Sequence, residues 1–291
     1  MDFTGSMTAL VTPFKDGKVD EAALRALVKR QIDGGTSAIV PVGTTGESPT
    51  LDHAEADRVI AITIEEAKGK AKVIAGTGSY DTRQTVERSK LAKKAGADAV
   101  LIVCPYYNKP GQQGIYLHFK AVAEECGLPV VVYTIPGRSV VNITPDTLAK
   151  LAQVPGIAAV KEASGSLSQA SEIIAACGDK IAVLSGDDVL TLPILALGGK
   201  GVISVASNIV PRSMADLVAA GLKGDFAAAR AIHFKLQELF KALYLETNPI
   251  GIKHAVAKLG WATPEIRLPM TPYEPANAAK LEAAMRGLGL L

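Results

Sequence analysis

Short apolar runs, rich in β-branched residues, recur along this chain with amphipathic stretches of helical length between them. The runs Met7–Thr12, Ala38–Val42, Val73–Gly76, Ala99–Cys104, Val130–Tyr133, Ile157–Lys161, Ile181–Ser185 and Val202–Val205 are too short for ordinary helices and almost wholly apolar. Continuous apolarity, as opposed to alternation, predicts strands covered on both faces, the mark of a parallel sheet. Helices are predicted at Glu21–Ile32, Asp52–Ala67, Thr82–Lys94, Gln113–Glu125, Pro145–Leu151, Ser166–Ala176, Val189–Leu197 and Pro211–Ala220. In the first, Leu24, Leu27, Val28 and Ile32 share one face, and Gly34-Gly35 ends it. Thr144-Pro145 joins an N-cap to a proline at the first helical position.

Strand and helix alternate eight times at a spacing of roughly 27 residues, which suits a βα repeat. Eight units without an irregular gap predict an α/β chain closed as a (β/α)8 barrel, a TIM barrel with a C-terminal helical extension. The barrel is expected over residues 1–224 and carries the active site. Residues 225–291 hold no strand-like run and read as helices at Asp225–Leu243, Pro249–Leu259 and Pro275–Arg286. They are expected to supply an oligomer surface or a wall of the site.

Composition narrows the function. With 31 basic against 29 acidic side chains and no long run of one sign, the chain lacks the basic face that nucleic acid requires. No apolar stretch approaches the ~18 residues of a membrane span. Cys104, Cys126 and Cys177 are widely spaced and odd in number, so neither a disulfide framework nor a zinc site is expected. The expectation is a soluble cytoplasmic protein.

Barrels of this type gather their chemistry at the C-terminal strand ends and the loops that follow. Lys161 ends the run Ile157–Val160 and is the only lysine to end one of the eight strand candidates. An apolar setting disfavours an ammonium, and the neutral amine is the form that attacks a carbonyl; the bland alternative is a lysine snorkelling into water. Tyr133 ends the neighbouring strand and could shuttle a proton, or simply fill the rim. Thr44 and Thr45 sit in a glycine-flanked turn that suits a carboxylate or merely starts a helix. Arg138, after a Pro-Gly bend, could offer a bidentate fork or be an ordinary surface arginine.

Other chemistries fall away. The four histidines show no HxH or HxxxH spacing. Gly76-Thr77-Gly78 lacks the third glycine of a dinucleotide fingerprint, and Gly198-Gly199-Lys200 lacks the rest of a P-loop. Asp187-Asp188 reads equally as a weak cation pair or a helix cap.

Together, Gly43-Thr-Thr-Gly-Glu-Ser, Pro105-Tyr-Tyr-Asn-Lys-Pro, Tyr133-Thr-Ile-Pro-Gly-Arg-Ser, Val160-Lys-Glu-Ala-Ser-Gly and Leu184-Ser-Gly-Asp-Asp closely resemble the dihydrodipicolinate synthases. The opening Phe3-Thr-Gly-Ser and the late Asn248-Pro-Ile and Arg267-Leu-Pro-Met fit the same pattern, so the resemblance spans the chain. The wider family of pyruvate-dependent class I aldolases includes N-acetylneuraminate lyase and shares the barrel and the Schiff-base lysine.

The resemblance implies that Lys161 condenses with pyruvate and that the resulting enamine attacks L-aspartate 4-semialdehyde, giving 4-hydroxy-tetrahydrodipicolinate on the way to diaminopimelate and lysine. It implies Tyr133 as general acid/base, with Thr44 and Tyr107 completing a proton relay, Tyr107 entering from a neighbouring subunit of a homotetramer (a dimer of dimers). Thr45 would hold the pyruvate carboxylate and Arg138 that of the semialdehyde, while Gly186 and Ile203 line the pocket. No cofactor and no metal are implied. A lysine-binding interface site would use Ser48, His53, Tyr80, Gln84 and Tyr106. Gln84 and Tyr80 stand where inhibited members carry glutamate and asparagine, and Ala56 where they carry a second histidine, so weak or absent feedback is expected. Thr134 replaces an asparagine of many relatives, with no change of reaction expected. The alternatives are a sister aldolase acting on a keto-deoxy sugar acid or N-acetylneuraminate, and a catalytically dead barrel.

Overall fold

A computed structural model describes residues 2–291. Eight parallel strands close into a barrel: β1 (Gly5–Ala9), β2 (Ala38–Val40), β3 (Lys72–Gly76), β4 (Ala99–Val103), β5 (Val130–Thr134), β6 (Ile157–Glu162), β7 (Ala182–Ser185) and β8 (Gly201–Ser204). Each pairs with its sequence neighbours, and β1 closes the ring against both β2 and β8, with Met7 opposite Ala38 and Ile203. Alternating with them run α1 (Glu21–Asp33), α2 (His53–Ala67), α3 (Thr82–Ala95), α4 (Gln112–Cys126), α5 (Pro145–Leu151), α6 (Leu167–Cys177), α7 (Thr191–Ala196) and α8 (Pro211–Leu222). Then follow α9 (Phe226–Leu243), α10 (Ile250–Lys258) and α11 (Pro275–Gly287). Among the described residues, no helix is long and apolar enough to cross a membrane.

The period-two geometry of a strand sorts each apolar run into two cores. Inside the barrel, Met7, Ile74, Leu101 and Leu184 interleave with the smaller Ala9, Ala38, Ala99 and Ala159, which lets large side chains fill a narrow interior. The intervening residues, such as Val130, Val132 and Val160, face the helices. Several helix starts follow from their caps. Asp52 and Glu55 form a reciprocal capping box on α2, Thr144 caps α5 and Ser166 caps α6. Gly96 and Gly127 close α3 and α4 in the left-handed conformation.

The structure corrects several boundaries. β1 begins two residues before the expected Met7 and stops at Ala9, because Gly5 N donates to Lys200 O at 2.9 Å while Val11 N is taken by the Asn208 side chain at 3.1 Å. An apolar run does not reveal where its hydrogen bonds leave the ladder. A small hairpin, Phe14–Lys15 against Lys18–Val19, turns on Asp16 and Gly17, both at positive φ. Residues Pro136–Ser139 form a one-turn helix where a loop is expected. The predicted helix Val189–Leu197 is split into a 3-10 turn at Asp188–Leu190 and α7.

Candidate active site

β6 runs one residue past Lys161, to Glu162, so the lysine is the penultimate residue of its strand and not the last. Parity decides its direction: Ala159 faces the barrel interior, Val160 the helices, and Lys161 the interior again. Its side chain is 5% exposed and makes no hydrogen bond among the described residues. Tyr133 is its register partner on β5, and Lys161 Nζ lies 4.2 Å from the centre of that ring. On the other side, a Cβ on Gly186 would lie 3.1 Å from Lys161 Cε and 3.0 Å from Glu162 O. Glycine there leaves room for the lysine stem.

These residues border a cavity of about 100 Å³ together with Thr45, Ile135, Arg138, Ala163, Asp187, Val205, Tyr244 and Asn248. A smaller void of about 30 Å³ continues past Tyr133 to Thr44 and Ser48. Tyr133 thus separates the lysine chamber from Thr44, and among the described residues no hydrogen bond joins the two hydroxyls directly. A cleft of about 490 Å³ lined by Lys68, Lys70, Lys72 and Asp98 lies at the entry to β3, the end of a barrel that bears on stability.

Two elements beyond the barrel complete the cavity. Asn248 Nδ2 donates to Thr45 Oγ1 at 3.0 Å, and the backbone oxygen of Asn248 accepts from Arg138 Nη2 at 2.8 Å. One residue thereby touches both side chains expected to hold carboxylates. Tyr244, at the end of α9, is 42% exposed as a residue but borders the cavity; burial of its phenol and the nearby Asp188, Asp187 and Tyr133 raise its pKa well above the ordinary value. The site is therefore not carried by residues 1–224 alone.

The acids behind the lysine are electrostatically tuned. Burial raises the Asp187 carboxyl, a shift opposed by the Val189 N–H and by Lys161. Its side chain caps the 3-10 turn, as the helix-cap reading expected. Asp188 is fully buried; desolvation pushes it up to about 6 although Val205 N and Ala206 N donate to its Oδ2.

The loop after β2 is strained at both ends. Val42 and Glu47 have φ of 57° and 55°, the left-handed region that costs a non-glycine residue about 1–3 kcal/mol. The buried Glu47 carboxylate pairs with the equally buried Lys253 of α10 and accepts from Arg267 N at 3.1 Å. The resemblance brought out Glu47, Asn248 and Arg267 without roles and passed over Lys253, Tyr244 and the lining role of Asp187. Only their placement in the fold reveals them.

The remaining expected residues scatter. Ile203 is wholly buried in the inner core with Leu184 and does not border the cavity. Tyr107 is 89% exposed at φ 66°, away from the cavity of its own chain. Tyr80 and Tyr106 meet edge to face at 5.3 Å. His53 is exposed at the start of α2, Gln84 is half-buried and Ala56 is buried. Arg88, one helical turn beyond Gln84, has a buried Nη2 without a partner; burial lowers its pKa, with Asp57 and Tyr106 opposing.

Comparison with known proteins places this geometry among relatives. A model of the dihydrodipicolinate synthetase family matches residues 2–287. The chain is 53% identical over 289 residues to 4-hydroxy-tetrahydrodipicolinate synthase of Geotalea uraniireducens, covering 99% of this chain and all of that one. Among solved structures, dihydrodipicolinate synthase from Aquifex aeolicus superposes with a TM-score of 0.97 at 49% identity, over 99% of each chain. The chloride-inhibited enzyme from Acinetobacter baumannii, complexed with pyruvate, superposes with a TM-score of 0.98 at 41% identity over the full length of both.

Proposed function

The chain belongs to the dihydrodipicolinate synthetase family, and on that premise we propose that it is a 4-hydroxy-tetrahydrodipicolinate synthase, condensing pyruvate with L-aspartate 4-semialdehyde on Lys161. The observation that carries this reading is the buried, unpartnered Lys161 Nζ beside the Tyr133 ring in a cavity that also holds Arg138 and Thr45. The neutral amine adds to the pyruvate ketone, and loss of water gives an imine. The imine nitrogen is protonated; a methyl proton then leaves, that nitrogen takes up the electron pair, and a neutral enamine results. Its carbon attacks the aldehyde, and the new alkoxide takes a proton. The amino group of the adduct then attacks the imine carbon, closing the ring and expelling Lys161. The electron sink is the imine itself, so the chemistry needs no cofactor.

Tyr133 is the proton carrier nearest the lysine, and Thr44, across the adjoining void, relays onward with Tyr107 of a neighbouring copy. Thr45 and Arg138 take the two carboxylates, charge-assisted at the guanidinium. Gly186 shapes the lysine chamber, and Ile203 contributes through its backbone on β8. The family resemblance supports a homotetramer of two dimers, in which the Tyr107 ring, 89% exposed in the single chain, is covered. Three buried, unpaired thiols suit a reducing cytoplasm. Pyruvate with borohydride, followed by peptide mass mapping, tests the first step. An adduct on Lys161 is expected; an adduct elsewhere, or none, overturns the reading. Turnover of aspartate semialdehyde in preference to N-acetylneuraminate and keto-deoxy sugar acids tests the second.

A further inference from the structure

The Thr44–Thr45 loop is held from outside the barrel. Gly46 N, Glu47 N and Ser48 N all bond back to Gly43 or Thr44 carbonyls at 3.1–3.3 Å, so the loop is a tight internal turn. Those bonds close the turn locally, but Val42 and Glu47 bound it in the left-handed conformation, which costs a non-glycine residue about 1–3 kcal/mol and calls for support from outside the turn. What stands against it is α10. Lys253 reaches the Glu47 carboxylate, and both side chains are at most 4% exposed. The second carboxylate oxygen accepts Arg267 N, and Arg267 itself grips Glu55 at 2.6 and 2.7 Å. Lys253 Nζ and Arg267 Cζ both lie over the Phe14 ring, at 4.2 and 4.1 Å.

A buried ion pair is a poor source of stability, since well-packed apolar residues often do as well, but it does fix geometry. Neither Glu47 nor Lys253 borders the lysine cavity. Their pairing acts two residues from Thr45 and three from Thr44. We propose that the Glu47–Lys253 ion pair is a positioning device that holds the two threonines in register for pyruvate capture, Glu47 and Lys253 being positioning residues that touch no reacting atom. The proposal rests on the synthase reading for its substrate, and on the loop geometry alone for its structural part.

The test uses Lys253→Met, Lys253→Arg and the double variant Glu47→Gln/Lys253→Met, with Ile62→Val in α2 as a control for lost packing remote from the site. Lys253→Met is expected to raise the pyruvate KM about tenfold or more while moving the semialdehyde KM less than about twofold. Lys253→Arg is expected to restore much of the loss. Should Lys253→Met not fold, the double variant, which leaves no unpaired buried charge, carries the same expectation. Hydrogen exchange of the peptide spanning Val42–Ser48 is read without substrate, and is expected to quicken in the same variants. If wild type forms no pyruvate imine, the synthase reading fails and the exchange measurement still decides the clamp. Unchanged exchange with unchanged pyruvate KM, or an equal KM shift in Ile62→Val, overturns it.

Discussion

Lys161 and Tyr133 are register partners on adjacent strands, the amine 4.2 Å from the centre of the phenol ring. A phenol is thus fixed beside the nitrogen by the sheet itself and needs no loop to bring it there. Lys161→Arg keeps a long basic side chain and removes the nucleophilic amine, so activity is expected to fall by at least about a thousandfold. Tyr133→Phe keeps the ring over the amine and removes the hydroxyl; a loss of roughly 10²–10⁴ in kcat is expected, with borohydride trapping of pyruvate retained. Steady-state rates and intact-protein mass settle both, and an active Lys161→Arg variant would dispose of the imine route.

Tyr107 provides a different kind of prediction. With 89% of the residue exposed and its own cavity elsewhere, it can serve catalysis only on a neighbouring copy. Specific activity is expected to decline on dilution, in step with dissociation followed by light scattering. Mixing inactive Lys161→Arg with inactive Tyr107→Phe subunits is expected to restore some activity, because mixed pairs hold one intact site. Full activity in a preparation shown to be monomeric would sink the shared-site reading.

Local pattern made the barrel legible, and it made Lys161 legible as a strand-end lysine in an apolar run. Pattern reaches one turn or one strand, and the features it missed span far more. Asn248 meets Thr45 across 203 residues and Lys253 meets Glu47 across 206, distances at which no periodicity speaks. The early end of β1 escaped notice for another reason: Leu10, Val11 and Thr12 are as buried as strand residues, but Val11 gives its N–H to a side chain. The Asp16-Gly17 turn was readable as a hairpin signal, although the strands around it are only two residues each. Ile203 comes from resemblance alone, as a residue lining the pocket mainly through its backbone; its side chain is buried in the inner core.

His118 makes stability depend on acid. The ring is buried on α4, Nδ1 faces Thr82 Oγ1 at 2.9 Å, and Nε2 has no partner. Burial lowers its pKa to about 4 from an ordinary 6.5. The folded state therefore holds the neutral ring, and the unfolded state binds the extra proton first. That contribution is complete above the unfolded value and is lost as pH falls through 6.5 towards 4. Between pH 7 and pH 5 the loss is about 2 kcal/mol. His118→Gln, which cannot titrate and can still bond Thr82, is expected to flatten that part of the stability profile in urea titrations. An unchanged slope would show that His118 is not the titrating group.

Feedback by lysine depends on what faces its two ammonium groups. A binding site for that ligand needs carboxylates or carbonyls, and a charge-assisted contact is roughly twice as strong as a neutral one. Beside Tyr80 and Tyr106, whose rings meet edge to face, the resemblance puts the neutral amide of Gln84 and the methyl of Ala56. This chain also adds the Arg88 guanidinium, one nitrogen of which is buried without a partner. An unpaired cation repels a cationic ligand, and the repulsion is strongest where water is excluded. Half-inhibition by L-lysine is therefore expected only above the millimolar range. Gln84→Glu alone is expected to bring a modest gain in sensitivity, because Arg88 would neutralise part of the new charge. Gln84→Glu combined with Arg88→Ala should gain more than the two single changes summed. Inhibition curves for the four proteins decide this, and sub-millimolar inhibition of the unaltered chain would refute the electrostatic argument.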